Sequence, residues 1–190
     1  MSGAAAAPHE DPHVERLARL FREHPAWREA ARHVSDEATS RVLFSHRPGE
    51  RWHLARRAGE TLLLPGDVSD PDFVFRFPPA AIERLEAAEG SVGAFAVALF
   101  RLIAGEEPES RVDFRIAASF ARLAQRGYLR LLLAAGWRVL AYGAKRGVLT
   151  LEDLRRLVAR LHASGSESWE SDAPRAGGVD DDSSLHRSVR

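Results

Sequence analysis

The groups that could do acid–base or metal chemistry in this chain are eight histidines and twenty-seven acidic residues, and cysteine is absent. Without thiols, disulfides, thiolate catalysis, Cys-ligated zinc and Fe–S clusters are excluded. His9 and His13 are four residues apart with Asp11 between them. On one helix face that spacing suits two metal-ligating imidazoles; a solvated chain end accounts for it more simply. Asp67, Asp70 and Asp72 crowd one loop. They could offer oxygens to calcium, but Asx residues beside Pro71 favour turns without any ion. No metal and no cofactor are expected. His46 and His53 fall on neighbouring strands and could face each other as an acid/base pair near a carboxylate. Two satisfied side chains are the plainer reading, and the chain is expected not to be an enzyme. Gly90-Ser91-Val92-Gly93 opens a helix whose amides could cradle an anion; a plain Ser91 N-cap suffices. Arg155, Arg156 and Arg160 share a helix face that is either solvated or a contact for nucleic acid or acidic lipid. No GxSxG elbow, GxxxxGK[ST] loop, GxGxxG turn, HExxH pair or EF-hand loop is present.

Overall charge adds little pull. Lys+Arg and Asp+Glu are both 27 in 190 residues, for a net charge of +0. No nucleic-acid partner is expected from that balance. The longest apolar stretch, Gly93 to Phe100, is far short of the ~20 residues of a spanning helix, so no integral membrane association is expected. The Met1-Ser2-Gly3-Ala4 start has no basic residue, and its Ala run stops at Pro8. That is too short for a signal core, and a soluble, cytoplasmic protein is expected.

The elements that must position any site follow from periodicity. Val14, Leu17 and Phe21 make a helical stripe, capped by Asp11, with Pro12 at the first helical position. Pro25 predicts a kink or break near His24. Thr39 to Arg47, Arg51 to Arg57, Thr61 to Leu64 and Asp72 to Phe77 alternate as strands. Pro48-Gly49, Ala58-Gly59 and Pro65-Gly66 separate them as turns. Tight turns predict a four-stranded antiparallel meander over 39–77. A helix from Ala80 to Glu89 and a Ser91-capped helix from Val92 to Ala104 follow, then a fifth strand from Arg111 to Ile116. Phe120 to Ala135 reads as one helix, and Trp137 to Tyr142 is apolar again. Thr150-x-x-Asp153 is a capping-box variant that opens a helix with Leu151, Leu154, Leu157, Val158 and Leu161 on one face. The fold class is therefore α+β: about five mostly antiparallel strands with helices on one face. Residues 1–10 are expected to be a disordered tail, 11–147 the domain, 148–163 a C-terminal helix, and 164–190 a second disordered tail.

Two helices, Val92 to Ala104 and Phe120 to Ala135, are more apolar than packing on one sheet face demands. A deep core or a dimer interface would use that surplus. So would an apolar pocket between helices and sheet. Phe95, Leu99, Phe100, Ile103, Phe114, Phe120, Leu123, Tyr128 and Leu132 are the candidate lining, and Tyr128 could give one orienting hydrogen bond.

The order of these segments resembles the sterol carrier protein 2 domain. A leading helix is followed by Arg41-Val-Leu-Phe44, Gly49-Glu-Arg-Trp-His-Leu54 and Gly59-Glu-Thr-Leu-Leu-Leu64. Asp70-Pro-Asp-Phe-Val-Phe75, Ala80-Ala-Ile-Glu-Arg-Leu85 with Gly90, and Arg111-Val-Asp-Phe-Arg-Ile116 complete the likeness, which spans about residues 11 to 135. The resemblance implies a sheet of about five strands, helices on one side and an apolar cavity. It implies non-enzymatic binding of a sterol, fatty acyl chain or similar lipid. Residues 137 to 163 lie outside it and could cover the pocket mouth or mediate pairing. The alternative is an accessory module that docks a protein partner or a second copy through its apolar helix surface.

Overall fold

The computed structural model describes residues 11–147, together with 150, 152, 153, 155, 156 and 159. The two expected tails and the apolar stripe of the 148–163 helix lie outside the described residues. Within reach, the capping box forms: the Thr150 amide donates to Asp153 Oδ2 at 2.9 Å and the Asp153 amide to Thr150 Oγ1 at 3.1 Å.

Helix α1 spans Pro12–Glu23 and α2 Pro25–Ala31. Pro25 cannot donate an amide inside a helix, and His24 is extended between the two. Val14, Leu17, Leu20 and Phe21 form the buried stripe of α1. Its N-cap is Asp11, whose carboxylate accepts from the His13 amide at 2.7 Å and the Val14 amide at 3.3 Å. The same carboxylate contacts His46 Nε2 at 2.9 Å. Burial alone would raise the Asp11 pKa; the hydrogen bonds from His46, His13 and Val14 outweigh it and hold the carboxyl below its ordinary value. A depressed folded-state pKa stabilises the fold above the unfolded value, and that contribution is lost as pH falls through the folded one. Asp11→Asn keeps a good cap but cannot titrate. The melting temperature of this variant is therefore expected to fall less than the parent's on acidification below about pH 4.

Five strands form one sheet: β1 (Thr39–Phe44), β2 (Trp52–Arg57), β3 (Glu60–Pro65), β4 (Phe73–Phe77) and β5 (Asp113–Ile116), in the order β3-β2-β1-β4-β5. The α+β class and the mostly antiparallel sheet are as expected. The four-stranded meander is corrected. Only β1, β2 and β3 form one, and β4 instead crosses to the far side of β1 and pairs with it in parallel, Val42 opposite Phe75 and Phe44 opposite Phe77. The segment after Gly66 is a crossover, not a hairpin turn. Side chains from the sheet hold it. Arg41 binds Asp67 at 2.6 Å and the Val68 carbonyl at 2.8 Å, and His53 Nδ1 lies 3.1 Å from the Gly66 carbonyl.

Helix α3 (Pro79–Glu86) and helix α4 (Val92–Ala104) link β4 to β5 through a 3₁₀ turn at Pro108–Ser110. Ser91 caps α4, accepting from the Ala94 amide at 3.3 Å. The expected single helix 120–135 is two, α5 (Phe120–Gln125) and α6 (Tyr128–Ala134), followed by α7 (Trp137–Ala144). The break is at Gly127, which has φ +87°, a left-handed conformation that ends a helix.

One sheet face is the core side. Val42, Phe44, Trp52, Leu54 and Phe77 are buried there with Leu17, Phe21, Ile82, Leu85, Phe95 and Leu102 from the helices. A second, smaller cluster is built on Ile116, Ala118 and Leu123, with Phe73, Phe114, Phe120 and Tyr128 packed against it.

Candidate ligand site

Alternation on β4 puts Phe73, Phe75 and Phe77 on the core face, and the β4–β5 register sets Phe75 opposite Phe114. The rings form a continuous array. Phe75 and Phe77 stack at 5.6 Å between centroids, Phe73 and Phe114 at 5.5 Å, and Phe75 and Phe114 meet at 5.1 Å. Phe77 is buried, whereas Phe73, Phe75 and Phe114 are only half-buried. This array bridges the two hydrophobic clusters: Phe75 packs on the first, Phe73 and Phe114 on the second.

Each side of that seam carries residues expected from the sequence. Leu99 and Ile103 of α4 are half-buried against the first cluster. Phe120, Leu123 and Tyr128 belong to the second, and Tyr128 meets Phe73 edge-on at 4.8 Å. Helix α6 is almost wholly apolar, yet it buries no residue fully. Leu132 on it is half-buried. Two candidates sit elsewhere. Phe95 is 4% exposed, packed 5.0 Å from His24 and 6.2 Å from Trp27, so it is a core residue. Phe100 stacks on Tyr142 of α7 at 6.2 Å.

The wall formed by α5 and α6 is pinned by a carboxylate whose sequence context suggests only a turn. Asp72 is 0% exposed. It accepts from Arg126 Nη1 at 2.6 Å and the Tyr128 hydroxyl at 3.2 Å, and it pairs with Arg122 Nε at 2.9 Å. Its backbone ties three strands: its amide donates to the Thr39 carbonyl at 2.8 Å, and its carbonyl accepts from the Ala117 and Ala118 amides at 2.9 and 3.1 Å. The Tyr128 hydroxyl thus donates to Asp72, which leaves it as a positioning group. Burial and then the Asp72 charge push the Tyr128 pKa up, so the phenol stays protonated. Arg122 also binds Asp70 and holds its carboxyl below the ordinary range.

The other polar candidates are also engaged. Asp67, Asp70 and Asp72 all face arginines. His46 is bound to Asp11, while His53 lies opposite Arg41 and reaches Gly66, so the two imidazoles do not meet. Among the described residues no group of His, Asp and Glu could hold a metal ion. A depression lined by Leu43, Arg47, Glu50, Arg51 and Arg76 shares no residue with the seam.

Phe73 and Phe75 are legible in the sequence as strand residues, but their half-burial is not. The clue to the pin is the pair Arg122 and Arg126, four apart and therefore on one helix face.

No family model and no curated protein matches this chain. Among solved structures it is similar to the ubiquinone synthesis protein UbiJ-SCP2, with 15% identity over 64% of this chain and 87% of that one, at a TM-score of 0.39. It is also similar to a conserved hypothetical protein from Thermus thermophilus for which a sterol carrier role is suggested, with 18% identity over 65% and 83% of the two chains, at a TM-score of 0.31.

Proposed function

We propose that the chain is a non-enzymatic binding protein for a hydrophobic small molecule of the sterol or fatty acyl class. The ligand lies in the seam over Phe73, Phe75 and Phe114. The observation that carries this reading is the half-burial of those three rings, with Phe73 meeting Tyr128 at the start of α6, an apolar helix that buries none of its own residues fully. A helix whose surplus served only the core would bury its leucines. Leu99 and Ile103 form one flank of the site, and Phe120, Leu123, Tyr128 and Leu132 the other. Such a site needs shape and apolar area more than polar anchors, and no acid, base or nucleophile is required of it.

Leu132→Trp tests the reading. A space that holds a ligand accepts the added volume, so the melting temperature should stay within a few degrees while affinity for a fluorescent acyl probe falls about tenfold or more. In a close-packed core the same change overpacks and costs about 1–3 kcal/mol. Strong destabilisation of the variant, with no probe bound by the parent, would mean the apolar surplus is core.

A further inference from the structure

The apolar surplus also reaches the surface at one corner. Leu133, at the end of α6, is 72% exposed; Trp137 and Leu140, on α7, are 75% and 60% exposed. Large side chains this open are costly unless something covers them. The charge along this stretch of the chain is one-sided, although Glu89 and Glu106 reach it from elsewhere. From Phe114 to Leu151 the chain has seven basic residues and no acidic one, although the whole chain is neutral. Four of the seven, Arg130, Arg138, Lys145 and Arg146, are exposed on or just after the same two helices, and Arg146 is paired with Glu106. Arg138 meets Glu89 at 3.1 Å, and Glu89 is itself 77% exposed, so the pair is weak and can open when another anion approaches Arg138.

We propose that the corner formed by Leu133, Trp137 and Leu140, flanked by Arg130, Arg138 and Lys145, docks on an anionic lipid bilayer. Tryptophan and leucine enter the interfacial region of a bilayer, and basic residues beside them meet its negative surface potential. No described helix is long and apolar enough to cross a membrane, so contact is with the surface only. The inference rests on the apolar-ligand reading for its purpose. Helix α6 carries Leu133 at this corner and Leu132 and Tyr128 at the seam, so a docked protein would have its ligand site one helix away from the bilayer.

The test is flotation of the full chain with vesicles of phosphatidylcholine alone and of phosphatidylcholine with about one-third phosphatidylglycerol, at low and high salt. Binding is expected to the anionic vesicles only, to weaken with salt, and to fall at least tenfold in both Trp137→Ser/Leu140→Ser and Arg130→Glu/Arg138→Glu. Acyl-probe binding by these variants in solution should match the parent, which separates failure at this corner from failure of the ligand site. Equal binding to neutral vesicles, no binding to either, or vesicle binding unchanged in the variants would overturn the proposal. So would a dimer in sedimentation analysis that Trp137→Ser/Leu140→Ser dissociates, since the corner would then be covered by a second copy.

Discussion

Asp72→Ala is expected to destabilise the fold by about 3–5 kcal/mol, as removal of one partner from a buried ion pair does. The carboxylate is fully buried, and the change would strand Arg126, Arg122 and the Tyr128 hydroxyl around an empty position. Arginine side chains exposed by 18% and 22% can rehydrate in part, which places the cost toward the lower end. Asp72→Asn keeps the shape and an acceptor but removes the charge, and its cost should be smaller. Urea denaturation measures both. Because Asp72 holds Tyr128 and hence α6, acyl-probe affinity should fall with stability even under conditions where Asp72→Ala is still folded. A cost below about 1 kcal/mol would show that the two arginines hold their helix equally well through solvent.

Gly127→Ala is expected to be about as damaging for a different reason. A β-carbon at this position would lie 1.9 Å from the His33 carbonyl oxygen, and the residue has φ +87°. The left-handed backbone alone costs an alanine about 1–2 kcal/mol. The clash adds to it, because the atom in the way is backbone and cannot swing aside. A total of about 2–4 kcal/mol follows. Gly59 separates the two terms: its φ is +82° but nothing lies within 4 Å of its added β-carbon. Gly59→Ala should therefore show the conformational cost by itself, about 1–2 kcal/mol. Equal losses in the two variants would contradict the close approach of the α5–α6 elbow to the loop after α2.

These two positions also mark where the sequence stops being legible. Alternation at Phe73, Phe75 and Phe77 fixes which face of β4 is apolar. It is the same whether the strand runs parallel or antiparallel to its neighbour, so the crossover that places β4 beside β1 leaves no mark in the pattern. The anchors of that crossover, Arg41 and His53, read as ordinary solvent-face residues. Gly127 interrupts an apolar pattern that continues through it, and the bar to a β-carbon there comes from the His33 carbonyl, far away in sequence. The Asp72 pin depends on Arg122 and Arg126, some fifty residues downstream, and the local context shows only an Asx-rich turn. By contrast, Asp11, Pro25 and Ser91 act through their own neighbours, and the ends of α1, α2 and α4 are readable from them. In α4 the all-round apolar pattern singles out Phe95, Leu99 and Ile103 alike, because it cannot say which side of a helix meets the core. That Phe95 is buried against His24 and Trp27 is a tertiary fact.

Whether the seam holds an apolar molecule is tested most directly by native mass spectrometry of the full chain, purified without detergent and then offered a fatty acid and a sterol in turn. The account predicts a monomer carrying extra mass that disappears on denaturation, or that appears on addition of one of these ligands, and that is lost in Leu132→Trp. A parent protein that stays at its bare mass through purification and after both additions would contradict it.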